Sequence, residues 1–456
     1  MNSLAIVVLA AGKGTRMKSD LVKVLHPVAG TPMLSFTLEL ARCLHPERLA
    51  VVVGFQRDLV RQRFSAPDLI FVDQEEQLGT GHAVAVAGQA LKDYPGRVLI
   101  LCGDVPLLTE RTVRKFLQSH EDCRATLSVL TASPENPRGY GRIIRGEAGE
   151  LLRIVEDKDL QAGEDKIREV NTGIYCVEAE FLFPALVSLS TRNAQGEYYL
   201  TDIVGKASTQ GKKANAFLAE DPVEAMGINT RVDLARANQV FWQRIAKRHM
   251  LAGVTLMDPQ TTYIDRDVEI GKDTIIYPNC FLLGKTSLGE GCLIEPGCKL
   301  MDTRVGNFAT LKAFSVITES VLEDRVTVGP FAHFRPETVL REGSKIGNFV
   351  EVKKSVIGRG TKANHLSYIG DATVGEKVNV GAGTIFCNYD GRKKHPTIIG
   401  DEVFIGSNTE LVAPIKIGRG AIIGAGSTIT KEVPPDTLAV SRVKQVHYKK
   451  RKPHED

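Results

Sequence analysis

Two groups of residues hold the side-chain types that chemistry needs. Near the amino end, the apolar run Ala5–Leu9 leads straight into Ala10-Ala11-Gly12-Lys13-Gly14-Thr15-Arg16-Met17. Glycines after a parallel strand let backbone N–H groups approach an anion, and a helix start beyond them adds positive potential. Arg16 and Lys23 supply fixed cations, suited to a pyrophosphate whose charge grows as it leaves. The turn lacks the third glycine of a dinucleotide fingerprint and the Gly-Lys-Ser/Thr of a P-loop. A tight β–α turn would account for its two glycines equally well. Asp104, in Cys102-Gly103-Asp104, follows the apolar run Val98–Leu101. That puts a carboxylate at the C-terminal edge of a sheet, where open α/β sheets bind ligands. Far along the chain lie Arg335, Lys353, His365 and Tyr368, then Asn388-Tyr389-Asp390-Gly391 with Arg392-Lys393-Lys394 behind it. An imidazole titrates near neutral pH and suits general-base work. His333, His365 and His395 invite a metal reading. No two form a close pair within one repeat, however, and no Cys-rich partner stands beside them.

These groups must be held by two different kinds of element. Residues 1–228 alternate apolar runs with helical patterns, as in an α/β domain with a mainly parallel sheet. Strands are expected at Ala5–Leu9, Leu49–Val53, Leu69–Val72, Val98–Leu101 and Thr126–Leu130, with helices at Leu34–Cys43 and Gly81–Leu91 between them. Residues 229–251 read as a linker helix, with Thr230 and Asp233 as its capping box. From Ile270 to Ile429 apolar residues recur six apart (Ile270, Ile276, Leu282, Leu288, Ile294, Leu300; Ile399, Ile405, Leu411, Ile417, Ile423, Ile429), with slips of one between these runs. A step of six matches neither a helix nor a plain strand. It fits short strands and turns wound into a prism, with coils of about 18 residues and roughly nine coils in all. A sandwich of short strands would turn about every 8–12 residues instead. Pro434-Pro435 marks the expected end, leaving a tail.

A chain of 456 residues is too long for one core. Its net charge of +4 forms no long basic face, so nucleic acid is not an expected partner. Lys449-Lys450-Arg451-Lys452 reads as a solvated end. Leu4–Ala11 is too short to cross a bilayer and has no basic residue before it, which argues against membrane insertion and against a signal peptide. Eight cysteines without a Cys-x-x-Cys pair imply free, mostly buried thiols and a reducing cytoplasm.

The run Leu9-Ala10-Ala11-Gly12-x-Gly14-Thr15-Arg16-Met17 followed by Lys23 resembles the signature of sugar-nucleotide pyrophosphorylases, with Val22 where many members have proline. The hexad rhythm resembles that of left-handed β-helix acyltransferases. Together with Lys362-Ala363-Asn364-His365-Leu366-Ser367-Tyr368-Ile369-Gly370-Asp371 and Asn388-Tyr389, nearly the whole chain resembles the bacterial bifunctional uridylyltransferase/acetyltransferase family that makes UDP-N-acetylglucosamine.

That resemblance implies an α/β Rossmann-like nucleotidyltransferase domain (1–228), a linker helix (229–251) and a left-handed parallel β-helix acetyltransferase domain with its tail (252–456). It implies a UDP-sugar site at Leu9, Ala10, Ala11, Gly12, Lys23, Gln74, Gly79, Thr80, Cys102, Gly103, Asp104, Gly141, Glu156, Asn171 and Asn229. Arg16 and Lys23 would stabilise the leaving charge there, and Asp104 and Asn229 would hold Mg²⁺. In the β-helix it implies His365 as general base and a glucosamine 1-phosphate site at Arg335, Lys353, Tyr368 and Asn379. The acetyl-CoA site would comprise Ala382, Asn388, Tyr389, Ser407, Ala425 and Arg442. Substrates would be glucosamine 1-phosphate, acetyl-CoA and UTP, and the assembly a homotrimer. Two other readings stay open: a single-activity pyrophosphorylase whose β-helix only regulates or oligomerises, and a solenoid serving as a binding scaffold.

Overall fold

The computed structural model describes residues 3–450. Arg451 and Lys452 of the basic tail lie outside the described residues. The chain divides into two compact units, the first ending at Phe241 and the second beginning at Trp242.

The first unit is built on one sheet. Its order runs Ala214–Leu218, Leu127–Ala132, Val170–Glu178, Arg97–Cys102, Leu4–Ala10, Arg48–Val53, Leu69–Asp73. All neighbours are parallel except Val170–Glu178, which runs antiparallel to both of its own. Leu4–Ala10 shows why the central strands are unbroken apolar runs. Ile6, Val8 and Ala10 enter the core on one face, and Ala5 and Val7 the core on the other. Helices cover both faces, so no polar alternation survives. The five expected strands form within a residue or two of their expected ends. The hairpin Arg142–Arg145 with Leu151–Val155 joins the same sheet beside Val170–Glu178.

Helix Arg231–Leu251 opens on a reciprocal capping box. Thr230 N–H donates to Asp233 Oδ2 at 2.8 Å, and Asp233 N–H to Thr230 Oγ1 at 3.2 Å. Its first half belongs to the sheet unit: Ala237 is buried in that core, and Phe241 meets Phe36 with ring centroids 4.3 Å apart. Its second half belongs to the second unit, where Trp242 sits edge-on to Tyr263 at 4.8 Å.

The second unit is a left-handed parallel β-helix whose three sheets hold eleven, ten and nine strands. One interior column runs Leu282, Leu300, Ile317, Phe334, Val352, Ile369, Phe386, Leu411, each at most 1% exposed. A second, narrower column carries small residues whose hydroxyls bond to the next coil, as when Thr274 Oγ1 donates to Gly289 O at 2.8 Å. Corners repeatedly use left-handed backbone, at Asp273, Phe314, Phe331, Phe349, Leu366 and Asp371 among others. Each costs a non-glycine residue about 1–2 kcal/mol, offset by the stacking it permits. In one coil Asn379 pairs with Phe404, and the extra residues form the loop that carries Asn388–Pro396. Pro434-Pro435 does not end the solenoid. Leu438–Ala439 pairs with Ile422–Ile423 beyond it, because the prolines stand at a corner, where no ladder N–H is required. Residues 440–450 then run exposed without regular structure. All eight cysteines are free, but only Cys176, Cys280, Cys292 and Cys298 are buried.

Phe334→Ala empties a level of the column filled by a fully buried aromatic ring and should cost about 3–5 kcal/mol. Urea unfolding followed by circular dichroism measures it; a cost below about 1 kcal/mol would mean the interior repacks freely.

Candidate active sites

In the first unit the edge formed by the C-terminal ends of Leu4–Ala10 and Arg97–Cys102 gathers four polar side chains. Lys23 Nζ pairs with Asp104 Oδ2 and donates to Asn229 Oδ1 at 3.3 Å. Arg16 Nη2 donates to the same Asn229 oxygen at 2.8 Å. Asp104 is fixed from behind, since its carbonyl accepts Ile228 N–H at 2.9 Å, next to Asn229. Val22, which departs from the proline of the resembled signature, has φ −55° and ψ 137°, values proline itself adopts. The N–H that a proline would lack donates to Gln56 Oε1 at 2.9 Å. Gly14 needs its left-handed backbone (φ 68°) and its missing Cβ, which would stand 2.6 Å from Lys23 Cβ. Gly12 faces open space, so the backbone there is bare to an approaching ligand.

The flanks follow from the same sheet. Gly103 N–H donates to Leu9 O at 2.9 Å, tying the loop after Cys102 to the strand before Ala10 and Ala11. Gln74 Nε2 donates to Gly79 O at 3.1 Å, and Gln77 Nε2 to Ala11 O at 2.9 Å. Gly79 leaves no room for a side chain against Tyr198 O, and Thr80 Oγ1 accepts Leu200 N–H at 3.2 Å. Beyond the antiparallel strand, Asn171 N–H donates to Gly141 O at 2.9 Å. Asn171 Oδ1 is occupied by Gly173 N–H (3.0 Å) and Tyr175 Oη (3.1 Å), leaving its NH₂ for a ligand. Glu156 accepts from Thr201 Oγ1 at 3.2 Å, while burial pushes its carboxyl upward.

In the β-helix the polar residues line up coil on coil. His365 pairs in register with Asn348, whose Oδ1 lies 2.8 Å from His365 Nδ1. Tyr368 pairs with Glu351, and Glu351 with His333. Glu351 Oε1 stands 3.2 Å from Arg335 Nη1. Lys353 lies 3.6 Å from Asp371, which also holds Asn388. Tyr389 Oη donates to Gly391 O at 2.7 Å, and the Lys394 ammonium lies 5.1 Å from the centre of its ring. Asp390 braces this loop by accepting Arg392 N–H, Lys393 N–H and His395 Nε2–H, and the His395 contact above all drives its carboxyl far below the usual range. Asn379 extends the strand column of Lys362 and Phe404. Ala382 O accepts Asn408 N–H at 2.7 Å, Ser407 O accepts Gly426 N–H at 2.8 Å, and Arg442 Nη1 donates to Ala425 O at 2.7 Å.

Sequence reasoning gave no role to Asn348, Glu351, Gly370 or Asp371. Each lies one coil from an expected residue or beside one that does, a spacing readable once the period is known.

Residues 6–169 match the MobA-like NTP transferase domain, and residues 396–431 match the bacterial transferase hexapeptide family (six repeats). Fold and sites thus define a nucleotidyltransferase continued by a hexapeptide-repeat transferase. The chain is 53% identical over 448 residues to the bifunctional protein GlmU of Geotalea uraniireducens, covering 98% of each chain. It is 48% identical over 457 residues to that of Streptococcus agalactiae serotype V, covering 100% of this chain and 99% of the relative. It belongs to the bifunctional GlmU family.

Burial, with the Asp104 carboxylate adding to it, pushes the Cys102 thiol up to about 12. Less thiolate at pH 8 means slower alkylation. Iodoacetamide labelling read by peptide mass spectrometry should modify exposed Cys43 well before Cys102; the reverse order would contradict the closed strand end.

Proposed function

We propose that this chain makes UDP-N-acetylglucosamine in two steps, one in each unit. The β-helix transfers acetyl from acetyl-CoA to the amine of glucosamine 1-phosphate. The sheet unit then transfers uridylyl from UTP to N-acetylglucosamine 1-phosphate, and pyrophosphate leaves. One observation carries this reading: a chain alignable end to end with bifunctional relatives holds two separate polar constellations, each suited to one step.

For uridylyl transfer, a sugar phosphate oxygen attacks the α-phosphorus while its bond to the bridging oxygen breaks in line. The backbone of Leu9–Gly12 receives the phosphates, with Gly12 bare. Gln74, Gly79 and Thr80 accommodate the uridine beside Cys102 and Gly103, and Gly141, Glu156 and Asn171 the sugar. Asp104 and Asn229 fit Mg²⁺, because their two hard oxygens already converge on the Lys23 ammonium. Mg²⁺ asks for one or two protein oxygens and completes its shell with phosphates and water. When bound, it neutralises charge on the phosphate oxygens. Lys23, released from Asp104, turns with Arg16 to the departing pyrophosphate.

For acetyl transfer, Asn348 Oδ1 accepts from His365 Nδ1–H, which leaves the Nε2 lone pair for the amine proton. The amine nitrogen bonds to the thioester carbon, and the C–S bond breaks. Arg335, Lys353 and Tyr368 hold the sugar phosphate, with Glu351 steadying Arg335. Asn379 lies by the amino sugar. Ala382 and Ala425 keep the wall flat for CoA, Tyr389, Ser407 and Arg442 complete its site, and Asn388 lies where the acetyl group meets the amine.

A homotrimer would bring adjacent prisms to these sites. Phe314, Phe331 and Phe349 support it, stacked at 5.4 and 5.3 Å on a corner and about half exposed. Among the described residues no helix is long and apolar enough to cross a membrane. The free thiols agree with a cytoplasmic enzyme.

Separate assays with product masses decide the division of labour. Asp104→Asn should abolish uridylyl transfer and leave acetyl transfer within about twofold, and His365→Ala should do the reverse by about 10²-fold or more. Loss of both activities in either variant would reject two sites. Light scattering should give three chain masses per particle; a monomer would remove the shared-site arrangement.

A further inference from the structure

We propose that Asp371 is a positioning residue for acetyl transfer: its carboxylate orients the Asn388 amide so that only the amide oxygen is left for substrate. The inference rests on the acetyl-transfer reading above. Asp371 stands at a β-helix corner with φ 50°. Its backbone is tied on both sides, N–H to Lys353 O at 3.0 Å and carbonyl from Thr397 N–H at 3.1 Å. The fold therefore sets where the carboxylate lies, with 13% of the side chain exposed and the Lys353 ammonium 3.6 Å away as counter-charge.

A carboxylate can only accept, so Asn388 must turn its nitrogen toward it. Asn388 Nδ2 donates to Asp371 Oδ2 at 2.5 Å and to Tyr368 Oη at 3.2 Å. Both N–H bonds are thereby taken, and Oδ1 remains. Gly370 makes the arrangement possible, because a Cβ there would stand 2.5 Å from Asn388 Nδ2. Asn388 is 4% exposed, so an amide facing the wrong way would leave buried polar atoms unpaired. A free acceptor suits the N–H groups of an amine and repels a carbonyl oxygen. Asn388 therefore orients the attacking nitrogen, and the thioester oxygen takes its hydrogen bond elsewhere.

The test uses the full chain with Asp371→Ala and Asp371→Asn, each alone and combined with Asn388→Ala. Uridylyl transfer serves as the folding control, and kcat and KM are measured for acetyl transfer. Asp371→Ala should lower acetyl kcat about ten- to hundredfold, the scale of a misplaced reacting group, with KM for acetyl-CoA changed less than about twofold. Asp371→Asn, whose amide oxygen can still accept from Asn388, should restore most of that kcat. In the Asn388→Ala background the Asp371→Ala loss should shrink below about threefold, since the group it acts through is gone. An equal loss in both backgrounds, or none in an actively acetylating parent, would overturn the role of Asp371 alone. A parent chain that forms no N-acetylated product would instead refute the acetyl-transfer reading, and this proposal with it. Should Asp371→Ala fail to fold, the Asn variant decides: an acetyl kcat as low as that of Asn388→Ala would overturn the proposal, and near-parental kcat would support it.

Discussion

Every coil of the β-helix must place its inward side chain above the one in the coil before it. This stacking constraint explains most of the second unit. Backbone groups find partners only in the coils above and below, so register is maintained throughout: Ile276 over Leu256, then Ile294, then Leu311. The interior has width for one apolar side chain per face and little else. The neighbouring buried positions are therefore mostly Thr, Ser, Cys, Ala or Val. Hydroxyls such as those of Thr274 and Thr361 bond to carbonyls of adjacent turns, while those of Ser344 and Thr397 are buried without a partner among the described residues. Outward side chains inherit the same alignment. Glu351 comes to lie against Arg335, and Asn348 against His365, because their strands are adjacent rungs.

The sheet of the first unit solves a different problem. Its central strands are buried on both faces, which leaves only their ends for function. At the C-terminal edge the chain collects Lys23 from a short 3₁₀ turn, Asp104 from a strand end and Asn229 from the approach to a helix. Residues remote in sequence share one ammonium contact. There the Lys23 ammonium and the Asp104 carboxylate neutralise each other, so opposite charges hold the edge together.

Legibility in the sequence followed the regularity of each element. Leu4–Ala10 and Arg97–Cys102 were readable because burial on both faces makes them continuous apolar runs. Val170–Glu178 was not, since Asn171-Thr172-Gly173 breaks its pattern where pairing shifts register. The solenoid was legible from its period, but its end was not, because a proline pair at a corner looks the same as a proline pair at a terminus. Lys23, Asp104 and Asn229 were found through motif likeness and come together in space. Asn348 and Glu351 carry no motif of their own, and Asp371 closes the Lys362–Asp371 stretch without a role of its own there. What places all three is their distance of one coil from His365, Tyr368 and Asn388, a relation visible only once register is known.

The loop bearing Asn388 to Pro396 leaves the prism and returns without disturbing the rungs on either side, as Asn379 and Phe404 pair across it. It is closed on itself by Asp390 and by the Tyr389–Lys394 bridge. Such an excursion behaves as a detachable fitting on a rigid post. Its length and contents can be exchanged while the post keeps its dimensions, so one framework can be refitted for other acyl donors or acceptors by altering a single protrusion.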